Sequence, residues 1–284
     1  MTASPDTSRP SRNYSFEFFP PKTPEGKSKL RATWQQLAQL KPRFFSVTFG
    51  AGGSTQQGTL DTVVEIRGAG HNAAPHLSCV ASSKAEIAST LSRYREAGIR
   101  HVVALRGDMP SGLASSGELR YANELVEFIR ATTGDWFHIE VACYPEYHPQ
   151  TRNPGDELKN FKRKVDAGAN SAITQYFYNA EAYFRFVDEC SAAGIDIPIV
   201  PGIMPIGNFS QLARFSDACG AEIPRWMRVK MEGFRDDTAS IRSFGLDVVT
   251  AMCGKLLEAG APGLHFYTLN QAGLASTIWQ RLGL

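Results

Sequence analysis

The chain has 284 residues, 43% of them hydrophobic, with 30 basic and 28 acidic residues giving a net charge of +2. That near balance gives no reason to expect nucleic acid or a membrane surface as a partner, and no run approaches the ~18 apolar residues of a membrane span. The five cysteines (Cys79, Cys143, Cys190, Cys219, Cys253) are scattered and contain no C-x-x-C pair, which fits a reducing compartment and excludes a disulfide framework.

Residues 1–13 are polar, carry Pro5 and Pro10 and lack an apolar signal core, so they are expected to form a disordered arm ahead of one cytoplasmic domain over 14–284. Strands are expected at 15–19, 44–48, 74–79, 101–106, 138–144, 171–177, 197–202 and 263–269. Helical windows separate them: Leu30, Trp34 and Leu37 recur at i, i+4, i+7, as do Ile87, Leu91 and Tyr94. Gly98, Gly168, Gly194 and Gly260 each follow a helical stretch and precede an apolar run, where glycine supplies the left-handed position past a helix end. Their intervals match one or two βα units of ~30 residues. Repetition without a linker predicts a single (βα)8 TIM barrel. The stretch 208–258 is too long for one helix, so extra helices are expected between strands 7 and 8. A doubly wound open sheet is the competing fold.

Barrel enzymes carry their chemistry at the C-terminal ends of strands and in the loops that follow. Here those positions read Glu17, Thr48, His76, Arg106-Gly107-Asp108, Tyr144 with Glu146 and His148, Gln175, and His265 with Thr268 and Asn270. Strand alternation puts Ser15, Glu17 and Phe19 on one face and Phe16 and Phe18 on the other. A carboxylate among apolar neighbours is poorly hydrated. Desolvation is then expected to raise the Glu17 pKa and suit it to general-acid work, the alternative being a buried ion pair with lysine or arginine. Arg106-Gly107-Asp108 is suited to clamp an anionic or heterocyclic group, or else forms a surface turn. Asn160, Arg163 and Lys164 share a helical face that either grips phosphate or is simply solvated.

Other motifs fail. Gly50-Ala51-Gly52-Gly53-Ser54-Thr55 ends in threonine, and the next strand offers no ribose-binding acid, so a Rossmann site is rejected. His138-Ile139-Glu140 matches the H-x-E of zinc deaminases, but no P-C-x-x-C accompanies it. The residues alone leave three classes open. The first is a cofactor-binding oxidoreductase using Arg106, Asp108, Arg163 and Lys164. The second is a metal-dependent barrel hydrolase or lyase with His76, Asp108, Glu146 and His148 as ligands. The third is a barrel that binds without catalysing.

The blocks Ser15-Phe16-Glu17-Phe18-Phe19-Pro20-Pro21, Ala104-Leu105-Arg106-Gly107-Asp108, Tyr144-Pro145-Glu146-Tyr147-His148-Pro149, Ile173-Thr174-Gln175-Tyr176-Phe177 and His265-Phe266-Tyr267-Thr268-Leu269-Asn270 resemble the methylenetetrahydrofolate reductase family in its short bacterial form. The likeness runs from about Tyr14 to the C-terminus. It implies a barrel holding non-covalent FAD that reduces 5,10-methylenetetrahydrofolate to 5-methyltetrahydrofolate for methionine synthesis. NADH, in preference to NADPH, would take turns with folate in a ping-pong cycle, and the chain would form a homo-oligomer. By the same resemblance Glu17 is the general acid and Asp108 the carboxylate between flavin and pterin. Thr48, Phe49, His76, Arg106, Gly107, Tyr121, Ala122, Ala142, Tyr144 and His148 match flavin-contacting positions. Asn160, Arg163 and Lys164 match those holding the rest of FAD, and Glu157 stands on its adenosine side. Gln175, Gln211 and Phe215 match substrate-binding positions. One departure is Gln271, where the family usually has an arginine able to attract the carboxylates of the folate tail.

Overall fold

The computed structural model describes residues 12–49, 54–107, 117–151 and 153–284. The strands are β1 (Asn13–Phe18), β2 (Phe44–Val47), β3 (Ala73–Ser78), β4 (His101–Leu105), β5 (His138–Cys143), β6 (Ser171–Thr174), β7 (Ile199–Val200), β8 (Gly202–Ile203) and β9 (Gly263–Tyr267). All neighbours pair in parallel, in the order β7-β6-β5-β4-β3-β2-β1-β9-β8. The expected seventh strand is divided at Pro201, which has no N–H to give to a ladder. Its two halves serve different neighbours, β7 pairing with β6 and β8 with β9. The Pro201 carbonyl still accepts from His265 N at 3.0 Å. The nine segments therefore occupy the eight strand positions of a nearly closed TIM barrel.

The helices are α1 (Pro24–Ala38), α2 (Ser54–Gly68), α3 (Lys84–Glu96), α4 (Ala122–Thr133), α5 (Pro154–Asp166), α6 (Ala180–Ala192), α7 (Phe209–Cys219), α8 (Arg225–Phe234), α9 (Thr238–Glu258) and α10 (Gly273–Arg281). The stretch between the seventh and last strand positions thus holds three helices, α7 to α9. Starts follow local chemistry: Thr23 caps α1 ahead of Pro24, and Ser83 with Glu86 forms a capping box on α3. Gly98, Gly168, Gly194 and Gly260 all adopt positive φ, between 69° and 111°. No described helix is long and apolar enough to cross a membrane, and all five cysteines are free thiols.

Two apolar layers follow from alternation. Phe16, Phe18, Phe45 and Val47 point outward and are buried beneath the helices. Phe44, Ala74, Val103 and Ile173 fill the barrel interior, with Leu105 and Tyr267 against them. Most expected strands run one to three residues too far at their C-terminal ends. There the chain leaves the ladder to build the mouth; the expected 171–177, for example, ends at Thr174. Of the expected arm, residues 1–11 lie outside the described residues. Arg12 donates to the Leu257 carbonyl at 2.9 Å, and Asn13 already begins β1.

Candidate functional site

Glu17 lies on β1 between two histidines brought from other strands by barrel closure. Its Oε2 is 3.3 Å from His76 Nε2 on β3 and 3.5 Å from His265 Nε2 on β9. Ser15, directly across the ladder from His265, places its hydroxyl 2.7 Å from His265 Nδ1. Neither Nε2 has a well-aligned acceptor, so both contacts are ion-pair approaches at the long edge of hydrogen bonding. Burial pushes the Glu17 carboxyl up, but His265 and His76 together outweigh it and hold the pKa near 2. The expectation of a raised pKa is therefore overturned. Glu17 is ionised near neutral pH, and its partners are imidazoles rather than lysine or arginine. The loop after β9 fixes the end of β1: Thr268 Oγ1 donates to Glu17 O at 2.6 Å, and Asn270 exchanges hydrogen bonds with both backbone groups of Phe19.

Glu17 and His76 face a cavity of about 440 Å³, lined also by Thr48, Phe49, Gly107, Ala142, Tyr144, Gln175, Tyr176, Met204 and Tyr267. Gly107 sits at φ 84°, and a Cβ there would collide with Ser78 Oγ, which donates to the Arg106 carbonyl at 2.8 Å. Only glycine fits that turn. The cavity shares Leu105, Ala142 and Tyr144 with a larger one of about 540 Å³, lined by Arg106, Tyr121, Ala122, His148, Glu157, Asn160, Arg163 and Lys164. On the other side it shares Met204 and Tyr267 with a small recess lined by Gln211, Phe215, Arg242 and Gln271. The described residues expected at the site thus line one connected surface at the C-terminal mouth. Asp108 lies outside the described residues.

Several of these side chains have defined partners. Lys164 is buried and donates to the Ala142 carbonyl at 2.6 Å; burial pushes its pKa below the ordinary lysine value. It is therefore no part of a solvated basic face. Arg163 is exposed and donates to Asn160 Oδ1 at 3.2 Å. Glu157 is buried and accepts from Thr151 Oγ1 at 2.6 Å and His148 N at 3.3 Å, ordering the loop that carries His148. The His148 ring stands edge-on to Tyr144 at 4.8 Å. Gln175 turns back onto its neighbour, accepting from Tyr176 N at 3.0 Å. Tyr121 and Phe215 are exposed at the rim.

The described members of the alternative metal set do not converge. His76 belongs to Glu17 and His148 to Tyr144. Glu146 accepts from Glu222 N at 2.8 Å in a separate recess, where burial pushes its carboxyl up to about 7. The sequence reading did not tie His265 to Glu17, and it did not single out Tyr267, Met204 or Arg242. Alternation on β9 signals His265 and Tyr267 together. Arg242 carries no local signal, because only the packing of α9 brings it to the recess.

A sequence profile described as methylenetetrahydrofolate reductase matches residues 4–283. The 5,10-methylenetetrahydrofolate reductase of Escherichia coli K12 is 42% identical over 273 residues, covering 96% of this chain and 91% of its own. Methylenetetrahydrofolate reductase (NADH) 1 of Arabidopsis thaliana is 38% identical over 95% of this chain and 48% of its own. Among solved structures, a Clostridium thermocellum protein that binds two copies of 5-methyl-5,6,7,8-tetrahydrofolic acid superposes with a TM-score of 0.66 at 16% identity, covering 96% of each chain, which speaks to fold alone. With its barrel, the Glu17 site and a relative this similar along nearly its whole length, the chain belongs to the methylenetetrahydrofolate reductase family.

Proposed function

We propose that this chain reduces 5,10-methylenetetrahydrofolate to 5-methyltetrahydrofolate through non-covalently bound FAD, with NADH preferred over NADPH, in two half-reactions at one site. The observation that carries this reading is the continuity of the mouth. The Glu17 cavity opens on one side to a larger trough that carries Arg106, Arg163 and Lys164 and on the other to a polar recess. The trough fits FAD in size and chemistry: about 540 Å³ continuing into about 440 Å³, within the usual range for cofactor sites. Arg106, Arg163 and Lys164 supply donors for a diphosphate. Bound FAD supplies a hydride carrier between nicotinamide and folate.

Asn160, Arg163 and Lys164 hold the diphosphate, with Glu157 on the adenosine side. Thr48, Phe49, His76, Arg106, Gly107, Tyr121, Ala122, Ala142, Tyr144 and His148 surround the remainder. The family resemblance assigns Asp108 the role of carboxylate toward flavin and pterin. Gln175, Gln211, Phe215 and Gln271 take the folate. Because Glu17 is ionised at rest, it takes up a proton before it acts as the acid that opens the folate methylene bridge. The relatives named with NADH support the choice of donor. In this reading 14–284 act as one catalytic unit of a cytoplasmic homo-oligomer that feeds methionine synthesis.

The test is anaerobic. Purified protein is yellow, NADH bleaches it faster than NADPH before any folate is added, and methylenetetrahydrofolate restores the colour. A colourless protein that cannot be reconstituted with FAD overturns the cofactor. Faster bleaching by NADPH overturns the donor.

A further inference from the structure

The N-terminal mouth of the barrel holds a second histidine–glutamate–histidine group that the proposed reaction does not use. His101 opens β4, His138 opens β5, and the two are partners across the ladder. Glu140, two residues after His138, shares its inward face. Glu140 Oε1 lies 3.2 Å from His101 Nε2 and 3.4 Å from His138 Nε2, and all three candidate ligand atoms fall within 4.8 Å of one another. Glu140 is fully buried, and its Oε2 has no hydrogen-bond partner among the described residues.

Two imidazole nitrogens face one carboxylate oxygen, while the other oxygen, buried, has no hydrogen-bond partner. That arrangement suits a cation. A tetrahedral ion ~2.0–2.1 Å from each nitrogen and oxygen ligand sets those ligands ~3.3–3.4 Å apart, close to the two Glu140–histidine distances, with the two imidazole nitrogens within 4.8 Å of each other. His138 is 35% exposed at its side chain, leaving room for water as a fourth ligand. One contact competes: Ser171 Oγ lies 2.6 Å from His138 Nε2 and must rotate aside on binding.

We propose that His101, His138 and Glu140 bind a divalent ion of the zinc class, with water completing the shell, which ties β4 to β5 and stabilises the end of the barrel away from the chemistry. The test uses untagged full-length protein stripped with a chelator. Calorimetric titration with Zn²⁺ gives one equivalent at micromolar affinity, Co²⁺ gives four-coordinate visible bands beyond the flavin absorption, and Zn²⁺ raises the melting midpoint. Glu140→Gln and His101→Gln weaken binding by at least about tenfold, while Glu17→Gln leaves it unchanged. NADH-dependent bleaching stays at the wild-type rate in Glu140→Gln. Absence of binding at micromolar Zn²⁺, wild-type binding in Glu140→Gln, or loss of binding in Glu17→Gln overturns the proposal. If the variants do not fold, an anomalous map of Zn²⁺-loaded wild-type crystals decides. A peak among the three side chains supports the site; a peak elsewhere, or none, overturns it.

Discussion

Glu17 and Glu140 each sit between two histidines, at opposite ends of the same barrel, yet they meet different surroundings. Both carboxyls are buried, and in both the neighbouring imidazoles outweigh desolvation and hold the pKa below the ordinary range. Glu17 keeps 12% exposure and looks into a cavity of about 440 Å³. Glu140 has no exposure. The same three residue types therefore meet different surroundings according to strand end. At the C-terminal end the strands hand over to long loops that make room for a ligand. At the N-terminal end the chain enters the barrel directly from the helix before it, and only the histidines of the group reach solvent, His138 more than His101.

Substitutions should separate the two ends by their readouts. The largest effect is expected at Glu17. In Glu17→Gln, reoxidation by methylenetetrahydrofolate should fall ~10²–10⁴-fold, the scale of a positioned proton donor, while NADH bleaching stays within a few-fold in stopped flow. Equal loss of both half-reactions would give Glu17 the same structural character as Glu140 and break the contrast.

Glu140→Gln should do the reverse. Turnover is unchanged, and urea unfolding at pH 7 shows a loss of roughly 1–3 kcal/mol. The pH sign follows from a depressed carboxyl. Its contribution is complete above the unfolded value near 4.5 and is lost as pH falls toward the folded value. The difference between wild type and Glu140→Gln should therefore shrink at pH 3 to 4 on the carboxylate range of unfolded chains.

At the C-terminal mouth, Arg242 shares the recess with Gln271 and has no ion-pair partner among the described residues. Arg242→Ala should raise the folate KM about fivefold, the worth of one solvated charge pair of roughly 1 kcal/mol, with NADH kinetics untouched. Gln271→Arg should lower the folate KM by a similar factor. The smallest effect belongs to Glu146, whose raised pKa of about 7 makes its ionisation destabilising, so wild-type stability falls as pH climbs from 4.5 through 7. Glu146→Gln should gain on the order of 1 kcal/mol at pH 8, discounted for its partial exposure, and nothing at pH 5. Unfolding at the two pH values checks it.

The barrel was legible because its signals are local. Alternation marked each strand position, and the glycines after the helices marked each return. What escaped depends on closure. The Glu17 pKa came out with the wrong sign because desolvation can be read from Phe16 and Phe18, whereas His76 and His265 become its neighbours only when β3 and β9 curl to meet β1. Lys164 shows the same limit. Helical periodicity put it beside Arg163, but only packing of α5 against β5 decides that Lys164 is buried and Arg163 exposed. Pro201 was visible in the sequence, but its division of one strand between two partners depends on where the sheet joins.

Phe44 stands between the two ends, its ring 4.2 Å from His101 and 6.3 Å from His265 by centroid. With Ala74, Val103 and Ile173 it forms an apolar layer inside the barrel. Each histidine group therefore has this apolar layer between it and the other. Hollowing out that layer, as Phe44→Ser would, opens a path for water between the two groups.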